Sequence, residues 1–168
     1  MKLENATIDC IRTNSGLLMN VFEPTQEMIC IEDIAHALGR MPRFGGHLNK
    51  HYSVAQHSIM CFNRAKNDEK LAALLHDASE AYMLDMPTPI KNRLPEYKKY
   101  EHNLMLVIGK KFGFDYPMSD NLKAIDKEML DLEWDNLVIT SNKNFKTLSA
   151  KKAKKEFLKA FYSLTTNE

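Results

Sequence analysis

Residues 71–87 read LAALLHDASEAYMLDMP, and the reading of this stretch decides the fold. It opens as an apolar helix, yet it carries His76, Asp77, Glu80 and Asp85 before Pro87 and Pro89 break it. Projected at about 100° per residue, Leu71, Leu75, Ala78 and Tyr82 form one apolar stripe. His76, Asp77 and Glu80 fall on the opposite arc, where their neighbours are Ala73 and Met83 rather than lysines. A helix apolar on most sides is central, so its polar arc is expected to line a cavity.

The flanking segments read mainly as helices. TIDCIRTNSGLLMNVFEP has two β-leaning runs around Gly16, which predicts a hairpin over residues 6–22. IEDIAHALGR is a short helix with Asp33 as its N-cap and Gly39 as its stop. MPRFGGHLNKHY must be a loop, and Ser53 with Gln56 is a capping-box pattern opening a helix that reaches about residue 66. A third helix covers about residues 68–84, and a fourth follows Pro95. Ser119 or Asp120 caps a fifth, which extends to about residue 137, and a lysine-rich sixth spans about 149–164. The expectation is an all-α, compact bundle of about six helices, with a short N-terminal β-hairpin. At 168 residues it is expected to be a single domain.

Composition narrows the function classes. A formal net charge of +1 provides no electrostatic case for a nucleic-acid polymer as partner. MKLENATIDC is interrupted by Glu4, Asn5 and Asp9, so no signal peptide is expected, and no apolar run is long enough for a membrane span. Cys10, Cys30 and Cys61 are scattered, which suits reduced thiols in a cytoplasmic protein better than disulfides or a zinc cluster.

The fifth helix separates surface charges from inward ones. Leu122, Ile125, Met129, Leu132 and Asn136 make its expected buried stripe, with Asp120, Glu128, Asp131 and Asp135 on the solvent side. Asp126 falls within the apolar arc between Leu122 and Leu130, with Glu133 two turns along. An inward carboxylate costs several kcal/mol unless it is paired with a cation or bound to a metal. On the second helix, His57 shares a face with Val54, Ser58, Cys61 and Ala65. His57, His76, Asp77 and Asp126 thus form a His2Asp2 set from three helices. Such a set suits a divalent ion (Co, Mn, Zn, Mg, Fe or Ni) and leaves positions open for water and substrate.

The order His57, His76-Asp77, Asp126, with YSVAQHS and LLHDASEAYMLDMPTPIK around it, resembles the HD-domain metal-dependent phosphohydrolases. The likeness covers about residues 31–137 and is nearest to small bacterial and phage members that hydrolyse deoxynucleotides. It implies that the four named residues hold the metal and that Glu80 and Asp85 are catalytic. Arg43, Phe44, Lys91 and Lys123 match positions that hold phosphate, sugar or base, and His47 can reach the site from the glycine loop. The implied activity is 5'-dephosphorylation of deoxyribonucleoside monophosphates, in a homo-oligomer. A deoxynucleoside triphosphate triphosphohydrolase uses the same ligands, and a nucleotide-binding regulator without turnover is the alternative from another class.

Overall fold

In a computed structural model that describes residues 9–165, the chain is mostly helical with a small antiparallel hairpin, as expected. Strands β1 (Cys10–Arg12) and β2 (Leu18–Asn20) pair with Ile11 opposite Met19, and Gly16 turns the chain at φ 96°. Residues 6–8 of the expected hairpin lie outside the described residues. The helices are α1 (Ile31–Arg40), α2 (Val54–Arg64), α3 (Lys70–Leu75), α4 (Glu80–Met83) and α5 (Thr88–Lys91). After them come α6 (Pro95–Phe112), α7 (Asp120–Glu133) and α8 (Ala150–Thr165). Among the described residues, no helix is long and apolar enough to cross a membrane.

Helix α8 packs along α1 and α2 with Ala153, Phe157 and Phe161, the face its sequence marks as apolar. Each phenylalanine buried this way contributes about 1.5–3 kcal/mol. Gly39 does not end α1, which runs to Arg40 before the chain turns extended at Met41. A Cβ on Gly39 would lie 3.0 Å from the Ala150 carbonyl, so glycine is there to let α8 approach.

The expected third helix is not continuous. Its hydrogen-bond ladder breaks after Leu75, and residues 76–79 close by tighter turns, including Ala78 N to Leu75 O and Glu80 N to Asp77 O, both 3.0 Å. The cause is local: His76 Nδ1 takes the Ala73 carbonyl at 2.8 Å, competing with the backbone for an acceptor that a regular helix would use. On α7 the buried stripe is Leu122, Ile125, Met129 and Glu133, while Leu130 and Leu132 are exposed. The helix continues as a wider π-type coil over Trp134–Ile139.

Asp33 is not the N-cap of α1; Cys30 holds that position. Its buried carboxylate crosses to the hairpin instead, accepting from Ser15 N (2.7 Å), Ser15 Oγ (2.6 Å) and Cys30 Sγ (3.1 Å). Burial alone would raise this carboxyl, but the bonds from Ser15, Thr13 and Cys30 outweigh it and hold the group below the usual aspartate range. Stability from a depressed carboxyl is present above its unfolded pKa and is lost as pH falls through the folded one. Asp33→Asn is therefore expected to destabilise the fold by about 1–3 kcal/mol at neutral pH. In urea denaturation the gap between the two proteins should shrink below the ordinary aspartate pKa. A gap unchanged in acid would rule this anchor out.

Candidate metal centre

The site is assembled from the start of α2, the turn after α3 and the face of α7. Ser53 Oγ accepts from Gln56 N at 3.2 Å and starts α2, as the capping pattern predicts. The Gln56 side chain does not return to Ser53. Its amide donates to Lys146 O (2.8 Å) and its carbonyl accepts from Leu148 N (2.7 Å), fixing α2 to the segment before α8.

Both histidines present the same nitrogen inward. His57 Nδ1 lies 2.6 Å from Glu133 Oε1, and His76 Nδ1 lies 2.8 Å from the Ala73 carbonyl. A carbonyl only accepts, so His76 carries a proton on Nδ1, and the Glu133 carboxylate holds a proton on His57 Nδ1 in the same way, which leaves Nε2 of each ring as the atom that can give a lone pair to an ion. The two Nε2 atoms are 3.2 Å apart. Asp126 Oδ1 is 3.0 Å from His57 Nε2 and 3.7 Å from His76 Nε2. Asp77 Oδ2 is 3.1 Å from His76 Nε2 and 3.8 Å from His57 Nε2. Donors about 2.1 Å from one ion lie roughly 3.0–3.4 Å apart at octahedral or tetrahedral angles. The donor set fits a divalent cation.

Electrostatics point the same way. Burial alone would raise Asp77 and Asp126, but His76 and His57 draw both carboxyls far below their ordinary range, and Arg43 adds to the effect on Asp77. For the histidines, burial opposes charge, and the surrounding carboxylates reverse it, with Asp77 leading at His76 and Asp126 at His57. The pocket therefore attracts positive charge strongly.

Glu80 is buried, and its Oε2 has no hydrogen-bond partner among the described residues. Burial, then the Asp77 and Asp85 charges, pushes its carboxyl well above the usual range. Asp85 is half-buried and also raised by burial, against the pull of Arg43. It follows Leu84, whose φ of 71° is strained for a side-chain-bearing residue. The Tyr97 hydroxyl lies within hydrogen-bond distance of both the Met83 and Leu84 carbonyls (2.9 and 2.8 Å) at that turn.

Arg43 Nε donates to Glu133 Oε2 at 3.0 Å, and Nη1 lies 3.7 Å from Asp77 Oδ2. The Phe44 ring stands 6.0 Å from that of Trp134, with the Arg43 guanidinium carbon 5.6 Å from its centre. Lys91 is bonded to Glu101 at 2.6 Å and feels the Glu80 and Asp77 charges. Lys123 is 57% exposed with its ammonium on Asp120 at 2.9 Å, and His47 is exposed after the glycine turn. Neither has a hydrogen bond or ion pair to the four donors.

Glu133 was not among the expected site residues, although it stands seven positions after Asp126 and so on the same face of α7. It is fully buried and accepts from Arg43, His57 and the Tyr52 hydroxyl (2.8 Å), which sets the His57 ring. No sequence pattern marks Tyr52, because its role comes from a contact 81 residues away. Cys61, four positions after His57, lies with His57, His76 and Asp126 such that their donor atoms are all within 4.8 Å.

Glu133→Ala should cost about 3–5 kcal/mol, because it strands the buried Arg43 charge and frees the ring. Glu133→Gln should cost less, and should weaken divalent-ion binding about 10–100-fold. Urea denaturation and calorimetric titration with Co²⁺ or Mn²⁺ check both; unchanged affinity in Glu133→Gln would remove Glu133 from the centre.

No protein-family model matches the chain. It is 41% identical over 123 residues to the uncharacterized protein YfdR of Escherichia coli K12, covering 73% of this chain and 69% of YfdR. It is also 35% identical over 136 residues to an uncharacterized Rhodobacter capsulatus protein, with the same shares of 73% and 69%. At that identity and coverage, the chain belongs to the same family as YfdR.

Proposed function

We propose that the protein is a metal-dependent phosphohydrolase of nucleotides, acting first on the 5'-phosphate of deoxyribonucleoside monophosphates. The observation that carries this reading is the convergence of His57 and His76 Nε2 with the Asp77 and Asp126 oxygens, at 3.0–3.8 Å. The resemblance of the His57, His76-Asp77, Asp126 order to HD-domain phosphohydrolases supports it from a separate direction.

A bound divalent ion supplies charge at a phosphoryl oxygen and acidifies water. The protein's own groups do the rest. Arg43 is locked by Glu133, so its remaining N–H donors are oriented toward phosphate without loss of freedom on binding. Lys91 adds a second positive charge on the Glu80 side. Glu80, buried beside two other carboxylates, holds a proton well and is suited to relay the proton that the attacking water releases. Asp85, raised by burial and following the strained Leu84 at the end of α4, is suited to give a proton to the leaving oxygen. Phe44 with Trp134 offers an aromatic wall to sugar or base.

A triphosphate tail would draw on a third cation. Lys123 is engaged with Asp120 on an exposed turn, which favours the shorter phosphate. The same reading takes the chain as a homo-oligomer working in the cytoplasm on small nucleotides, not on nucleic-acid polymers.

A divalent ion at about 100 times its Kd should stabilise the fold by about 2.7 kcal/mol, which raises Tm by roughly 5–11 °C for a chain of this size. A nucleotide panel with Co²⁺, Mn²⁺, Zn²⁺ or Mg²⁺ should release inorganic phosphate from deoxynucleoside monophosphates. Asp77→Ala should reduce kcat/KM by at least about 100-fold. Release of tripolyphosphate from deoxynucleoside triphosphates would transfer the assignment to the rival substrate. Metal binding without turnover of any nucleotide would defeat the catalytic reading.

A further inference from the structure

Cys61 stands one turn after His57 on α2, and its Sγ is 3.6 Å from His57 Nε2. It is buried (2% exposed). A buried cysteine is ordinarily a small apolar filler, and Ala65, Ala73, Leu122 and Met129 around it suit that role. Two observations go beyond filling. The i, i+4 spacing directs the sulfur and the His57 ring to the same point. A thiolate about 2.3 Å and an imidazole about 2.1 Å from one tetrahedral ion are about 3.6 Å apart, which is the separation found here. His57–His76 at 3.2 Å, His57–Asp126 at 3.0 Å and His76–Asp126 at 3.7 Å place the other three donors, and the sulfur lies within 4.8 Å of all of them.

We infer that Cys61 is a thiolate ligand of the bound ion, sharing it with His57, His76 and Asp126, with Asp77 as the outermost donor. This rests on the metal reading above and goes further, because sulfur changes which ion is preferred. On binding, the thiol proton passes to buffer as the sulfur–metal bond forms. A site with one thiolate favours Zn²⁺ or Co²⁺ over the hard ions Mg²⁺ and Mn²⁺. Asp77, one-fifth exposed and held from outside by Arg43, is then the donor that can yield when phosphate enters.

The test is Co²⁺ titration of the full chain, followed by absorption spectroscopy. The wild type should show intense visible bands of tetrahedral Co²⁺ and a near-ultraviolet thiolate-to-cobalt band. That band should persist in a Cys10→Ser, Cys30→Ser double variant and vanish in Cys61→Ser and Cys61→Ala, which should still bind Co²⁺. Zn²⁺ affinity should fall at least about 10-fold in both Cys61 variants, with Mg²⁺ affinity within about 2-fold of wild type. Visible cobalt bands and a raised Tm without the near-ultraviolet band in wild type would overturn thiolate ligation while leaving the metal centre standing. No cobalt bands and no Tm shift would overturn both readings.

Discussion

The buried Glu133 carboxylate is the constraint on which the rest of the site depends. It takes three donors from three parts of the chain: Arg43 Nε, the Tyr52 hydroxyl and His57 Nδ1. An ionised carboxylate with no solvent exposure is tolerable only when its lone pairs are filled in this way. Because it is filled by those groups, the end of α7, the glycine loop and α2 are fixed relative to one another. The His57 ring has one tautomer and one orientation as a result. Arg43, bonded on one side, reaches Asp77 with the other.

The second organising element is the break after Leu75. A regular helix over residues 70–84 would keep the Ala73 carbonyl for its own ladder. The His76 ring takes that carbonyl, the helix tightens, and Asp77 and Glu80 are carried into the pocket. One histidine hydrogen bond thus sets its own tautomer and reshapes the backbone that presents its neighbours. The strained Leu84 at the far end of this segment, with the Tyr97 hydroxyl at the carbonyls before it, places Asp85 at the margin of the same pocket. Local strain of this kind persists where surrounding contacts over-determine it.

Charge in the pocket is unbalanced by construction. Asp77, Glu80, Asp85, Asp126 and Glu133 gather around two imidazoles and one guanidinium, with Lys91 nearby. The consequence is a split among carboxyls of the same type. Asp77, Asp126 and Glu133, which meet cationic or donor groups directly, are held ionised, whereas Glu80, which is buried beside other carboxylates, is driven toward its neutral form. Environment alone separates ligand-like from acid-like behaviour.

Periodicity and capping in the sequence determined the helical class, the starts of α2 and α7, the apolar face of α8 and the inward direction of His57, His76 and Asp126. Those features depend on neighbours within one or two turns, so a single strand of text contains them. The stripe of α7 was legible only in part: Leu132 looked inward by its apolarity, yet Glu133 holds that place because Arg43, Tyr52 and His57 arrive to receive it. Asp33 and Gly39 resembled a cap and a stop, and became a strap to the hairpin and a seat for α8. Lys123 matched a position that holds phosphate, sugar or base, but in the fold its ammonium meets Asp120. What only the tertiary structure decided is which polar groups meet across 76 to 90 residues of chain. A buried charge has no preference of its own for one distant partner; packing chooses it.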